Sequence, residues 1–190
     1  TSLHPASITK ILTALVALQS VSDKDLDQEV TLTDDVNIDV ADAQVCGFKP
    51  GDKMTLRTLL YCMLIYSGND AANAVASAVS GGDIPAFCDK MNETAAKLGA
   101  TQTHFVTPNG LDDPDHYTTA YDIALMSREL IRNHPQIFEY SSIWMENITH
   151  MTARGSSEFG LTNTNKLLRS YEGCVGLKTG STSLAKYCVS

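Results

Sequence analysis

The chain has no run of apolar residues approaching the roughly 18 that a membrane-spanning helix needs. It also has no Cys-x-x-Cys pair, no Gly-x-Ser-x-Gly and no internal repeat. Each absence removes a class of function. Without Cys-x-x-Cys spacing neither a zinc site nor a thioredoxin-like redox motif is indicated. The cysteines, Cys46, Cys62, Cys88, Cys174 and Cys188, are odd in number and far apart; they read as buried free thiols acting as small hydrophobes, with a disulfide framework as the lesser reading. His4, His104, His116, His134 and His150 show no ligand spacing, so neither a metal nor any other cofactor is expected. The missing Gly-x-Ser-x-Gly disfavours a Ser–His–Asp hydrolase. Positive charge is short as well: 14 Lys and Arg stand against 22 Asp and Glu, a net charge of −8. That argues against a nucleic-acid partner, which favours a basic face, and against a cationic surface lying on membranes. No signal peptide is visible, but the chain opens in mid-motif at Thr1-Ser2-Leu3-His4-Pro5, so this decides nothing about compartment.

What is present reads as one folded core. With 190 residues, 43% hydrophobic and 19% charged, the chain can bury a core and carry a small subdomain. Residues 7–19 form a helix apolar on nearly every side, hence buried rather than amphipathic. Short strands are expected at 29–33 and 52–55, with a turn over Phe48–Asp52 between them. Thr55 can cap a helix over 56–66, and Asp70 can cap one over 71–79 that ends at Gly81-Gly82. A helix over 84–98 stops at Gly99. Residues 103–118 are loop. Thr119 and Asp122 resemble a capping box opening a helix to Arg132. Residues 141–165 alternate weakly and suggest strands, and the segment after Cys174 holds two short extended runs around Lys178.

The chemistry begins at Ser7 and Lys10. Three apart on a helix, they share a face, and that face points inward. A lysine on a buried helix is costly as an ammonium, so it must be paired or lose its proton more easily. A neutral lysine one turn from a serine is a base that can activate the hydroxyl, and the helix N-terminus favours developing negative charge. An isolated Ser-x-x-Lys is short and common, and Ser7 as a cap with Lys10 snorkelling to water fits it too. Two further triplets alter that balance. Ser67-Gly68-Asn69 sits between two helices and can present both polar side chains to a cleft. Lys178-Thr179-Gly180, followed by Ser181, is extended; its lysine and hydroxyl can hold a carboxylate, and Gly180 lets backbone run close to a ligand.

In this order the triplets are the set shared by penicillin-binding proteins and serine β-lactamases. The chain resembles the low-molecular-mass D-alanyl-D-alanine carboxypeptidases of bacterial cell-wall metabolism along nearly its whole length, including "HPASITKILTALVAL", "LRTLLYCMLIYSGNDAANAVA", "LTNTNKLL" and "YEGCVGLKTGSTSLAKYCV". The resemblance implies an α+β fold of helices on an antiparallel sheet, with a mainly helical subdomain at roughly 34–165. It implies Ser7 as acylated nucleophile, Lys10 as general base, Ser67 as proton relay and Asn69 as amide contact. Lys178 and Thr179 would bind the terminal carboxylate of a stem peptide ending in D-Ala-D-Ala, with Gly180 and Ser181 beside it. The Ser7 and Ser181 N–H groups would form the oxyanion hole, with Asn165 and Lys166 near the site. β-Lactams would acylate Ser7, no metal or cofactor would be needed, and the location would be extracytoplasmic.

Departures accompany the likeness. The family carries Ala-Gly soon after Lys-Thr-Gly, whereas Ala185 is followed here by Lys186, expected to distort the strand or point outward. The family's domain has strands before the Ser-x-x-Lys helix and strands plus a helix beyond Ser190, so the resemblance implies a domain truncated at both ends, with an unpaired strand edge near Lys178. Alternatives stay open. A serine β-lactamase must deacylate fast, which class A enzymes do with a glutamate, and Glu129 is the faint candidate. An endopeptidase would cut the cross-link instead, and an inactive fragment would bind stem peptides uncleaved. Asp112, Asp113 and Asp115 read as a solvated loop rather than a calcium site.

Overall fold

Because the segment after Ser7 has no polar face, it can only sit at the centre of the molecule. In the computed structural model, which describes residues 1–190, a 3₁₀ turn over Ala6–Ile8 leads into α1 (Thr9–Ser20). Every residue from Ile8 to Leu18 is buried, Lys10 included. The chain continues through β1 (Glu29–Thr31), β2 (Lys53–Thr55), α2 (Leu56–Leu64), α3 (Asn69–Ser80), α4 (Ile84–Lys97) and α5 (Ala120–Asn133). The four helices α2–α5 pack around α1. A short α6 (Phe138–Ser141) precedes the hairpin β3 (Met145–Thr152) and β4 (Gly155–Thr162); then come α7 (Leu167–Ser170), β5 (Thr179–Thr182) and β6 (Lys186–Val189).

The fold is α+β, and its strands form two antiparallel sheets. One has the order β1-β2-β3-β4, with Val30 opposite Met54 and Ile148 opposite Phe159. The weak alternation over 141–165 thus becomes the longest hairpin of the molecule. The other sheet is β5–β6 alone, with Gly180 opposite Cys188 and Ser181 opposite Tyr187. β5 lies against the Ala6–Ile8 turn, and this contact brings the last quarter of the chain to its first residues. β6 pairs with no strand besides β5.

Capping decides where the helices start. Thr55 accepts from Thr58 N and Thr119 from Asp122 N, as expected. The capping box at α5 stays half made, because the Asp122 carboxylate turns instead to Gln102 N and Thr103 Oγ1. Asp70 is a correction. α3 begins at Asn69 with Gly68 as its N-cap, so Asp70 lies within the first turn. Its carboxylate accepts from the backbone N–H groups of Cys46, Gly47 and Phe48 as well as Ala71. Three consecutive N–H groups on one charge hold the 46–48 segment more tightly than a cap would hold its helix.

Candidate active site

Ser7 lies in the 3₁₀ turn that opens α1, at the floor of a cleft of about 1060 Å³. The residue before it, Ala6, has φ +49°, in the left-handed region. Gly110, itself at φ +89°, presses on that turn; a Cβ built there would stand 1.9 Å from the Ala6 carbonyl oxygen. Only glycine leaves room for this approach.

One turn on, Lys10 is wholly buried, and its Nζ lies 2.7 Å from Ser7 Oγ and donates to Asn69 Oδ1 at 2.9 Å and to the Asn109 carbonyl at 2.9 Å. Burial, and then the positive charge of Lys178, push its pKa well below the ordinary lysine value; Asp70 and Cys46 oppose this more weakly. The three neighbours fit a neutral amine. Its two hydrogens go to the two carbonyl oxygens, and its lone pair then faces the Ser7 hydroxyl. Such an arrangement allows the amine to take the hydroxyl proton.

Ser67 and Asn69 reach the same cleft from the α2–α3 link. Ser67 has φ +64°, a conformation costly to a non-glycine residue, and is buried without a side-chain hydrogen bond to Lys10. Asn69 spends its Oδ1 on Lys10, which leaves its amide nitrogen free to donate.

The opposite wall is β5. Lys178 and Ser190 exchange both backbone hydrogen bonds. Because such pairs alternate along an antiparallel ladder, Gly180 makes the next exchange with Cys188, while Thr179 and Ser181 aim their N–H and C=O groups away from β6. Thr179, Gly180, Ser181 and Thr182 all line the cleft. A Cβ on Gly180 would lie 2.8 Å from Ser7 N, so the strand runs directly against the N-terminal turn. Lys178 stands behind this wall: it is buried, its Nζ donates to the Thr179 carbonyl at 2.8 Å, and burial lowers its pKa to about 7. It is not among the residues lining the cleft, so its charge reaches the cleft through Thr179 rather than by standing open in it.

Exposed Lys166 lines the cleft beside Thr164, whose hydroxyl meets Thr179 Oγ1 at 2.6 Å. Asn165 is buried away from it, donating to the Gly176 carbonyl and so bracing the approach to β5. The remaining wall is the Val40–Gln44 segment. The sequence offered no signal for this wall, nor for Asn109, which acts through a backbone carbonyl. Glu129 lies on α5, bonded to Asn133 and outside the cleft. Asp112 accepts from Thr182 Oγ1 at 2.6 Å and ties the β5–β6 hairpin to the 103–118 loop. All five cysteines are free thiols, Cys62 and Cys88 buried and the others half-buried. Lys186 is exposed, and the reason a glycine suits its position is conformational: its φ is +60°.

A family model described as D-alanyl-D-alanine carboxypeptidase matches residues 1–190. The D-alanyl-D-alanine carboxypeptidase DacF of Bacillus subtilis is 36% identical to the chain, across 99% of it and 47% of its own length. The D-alanyl-D-alanine carboxypeptidase DacB2 of Mycobacterium tuberculosis is 39% identical, across 96% of the chain and 59% of its own length. The chain therefore spans about half the length of the curated relatives it matches. The crystal structure of the Streptomyces K15 DD-transpeptidase superposes with a TM-score of 0.86 at 31% identity, covering 100% of this chain and 75% of that one.

Proposed function

Since the chain belongs to the D-alanyl-D-alanine carboxypeptidase family, we propose that it cleaves the last residue from peptidoglycan stem peptides ending in D-Ala-D-Ala, through an acyl-enzyme on Ser7. The observation that carries this reading is the 2.7 Å contact between Ser7 Oγ and a buried Lys10 Nζ whose other neighbours are two carbonyl oxygens.

Ser7 Oγ attacks the carbonyl carbon of the terminal peptide bond while its proton passes to Lys10 Nζ. The developing oxyanion is met by the N–H groups of Ser7 and Ser181, the first at a helix N-terminus and the second on the open edge of β5. The amide nitrogen of Asn69 holds the substrate's backbone carbonyl. The terminal carboxylate rests on the Thr179 hydroxyl, in the field of Lys178. Collapse of the tetrahedral adduct breaks the C–N bond, and D-alanine leaves with a proton returned from Lys10 through Ser67. Water then hydrolyses the ester. Residues 34–165 serve as the subdomain that supplies Ser67 and Asn69.

A β-lactam presents a strained amide and a carboxylate to the same groups, so it acylates Ser7 and blocks the site. Glu129 lies outside the cleft, so nothing at its position activates a deacylating water, and turnover of the adduct is slow. The substrate places the protein in the cell envelope.

The test is labelling with a fluorescent penicillin. Ser7→Ala abolishes the covalent label, and Lys10→Ala slows it by about a hundredfold or more while circular dichroism stays unchanged. Label retained on Ser7→Ala overturns the reading.

A further inference from the structure

One titratable group near the site takes no part in that chemistry. His116 is 1% exposed and lies in the 103–118 loop. Val106 N donates to its Nδ1 at 3.0 Å, so Nδ1 carries no proton. The single ring proton therefore sits on Nε2, which donates to Thr9 Oγ1 at 2.8 Å. Thr9 is the residue between Ser7-Ile8 and Lys10, and its hydroxyl also lies 2.7 Å from where a Gly110 Cβ would be. One imidazole thus joins the loop to the first turn of α1.

We propose, resting on the acyl-enzyme reading above, that His116 is a positioning residue for the Ser7–Lys10 pair, acting through Thr9 and the Val106–Gly110 backbone. That loop carries the Asn109 carbonyl, which takes one hydrogen of Lys10 Nζ, and Gly110, which fixes Ala6. Its other ties to the helical core are Thr13 Oγ1 to the Pro108 carbonyl at 2.6 Å, Asn109 Nδ2 to Asn73 Oδ1 at 3.0 Å, the Asn92 side chain to the N–H and C=O of Phe105, and Thr103 Oγ1 to Asp122. None of them holds the Thr9 hydroxyl. Without the imidazole bridge the carbonyl moves off Nζ, water enters, and Lys10 is less readily neutral. The groups facing His116 are Asp112 and Asp113 of its own loop and His104 and His4; α1 offers it only the Thr9 hydroxyl. Lys10 faces Lys178, Asp70 and Cys46. Burial lowers the His116 pKa to about 4, which keeps the bridging tautomer through the neutral range.

The experiment titrates Lys10 by NMR on protein carrying ¹³C-labelled lysine, in wild type, His116→Asn, His116→Gln and Thr9→Val. Asn keeps an acceptor for Val106, Gln keeps a donor for Thr9, and Val keeps the shape of Thr9 without its hydroxyl. Because burial is the main cause of the lowered Lys10 pKa, each variant moves the titration upward by about half a pH unit or more. Penicillin acylation at neutral pH slows by about ten- to a hundredfold, and the pH–rate profile moves with Lys10. A Lys10 titration unmoved in folded variants overturns the proposal, as does a rate loss that only follows melting temperature. If the wild type is not acylated on Ser7, the carboxypeptidase reading falls, and the Lys10 titration still decides this one.

Discussion

Two lysines, Lys10 and Lys178, are buried with no carboxylate within ion-pair distance of either. An unpaired buried ammonium is costly, and the protein answers by lowering both pKa values. This has a consequence for stability. Burial lowers the Lys178 pKa from the ordinary lysine value of 10.5 to about 7 in the folded state. Between these values the unfolded chain binds more protons than the native one, so the native state gains stability as pH rises. Replacing Lys178 by methionine removes this titration. We expect the melting temperature of the wild type to climb relative to Lys178→Met from pH 7 to pH 9, by differential scanning fluorimetry; parallel curves for the two proteins would refute it.

At the scale of the elements, the turn before α1 and the β5–β6 hairpin each hold one strained residue, with opposite remedies. Ala6 is held at φ +49° by Gly110, whose missing side chain makes the contact possible. Gly110→Ala drives a methyl group into the Ala6 carbonyl and strains its own positive φ, at a cost of about 3 kcal/mol or more. Urea unfolding reads that cost, and penicillin labelling of the folded fraction falls with it because Ser7 is the next residue. Lys186 adopts φ +60° with no packing reason to be a lysine, being exposed. Lys186→Gly relieves the left-handed strain and stabilises by about 1 kcal/mol; a lower urea midpoint for the glycine variant would contradict this.

Across the whole molecule, the site exists because distant segments are clamped together. Asp70 takes three consecutive backbone N–H groups of residues 46–48 and holds the chain that leads from the Val40–Gln44 wall. Asn69 N donates to the Gln44 carbonyl beside it. Asp70→Ala leaves those N–H groups without a partner and costs about 3 kcal/mol or more, measured by urea unfolding. Asp70→Asn, which keeps a neutral acceptor, loses less; equal losses would mean that only the charged carboxylate can make the clamp.

What the sequence determined by itself was local or periodic. The apolar run after Ser7 fixed a buried helix, Thr55 and Thr119 fixed two helix starts, and three triplets in order marked the residues that line or stand behind one cleft. Tertiary structure alone decided the rest. Asp70 looked like a cap because a cap is a local device, whereas its partners lie 22 to 24 residues away. The third neighbour of Lys10 is a backbone carbonyl, which every residue has and no sequence pattern marks. His116 gave no spacing signal because it reaches Thr9 across 107 residues. Side-chain type and periodicity are written along the chain, but proton state and contact depend on burial and on which segments the fold brings together.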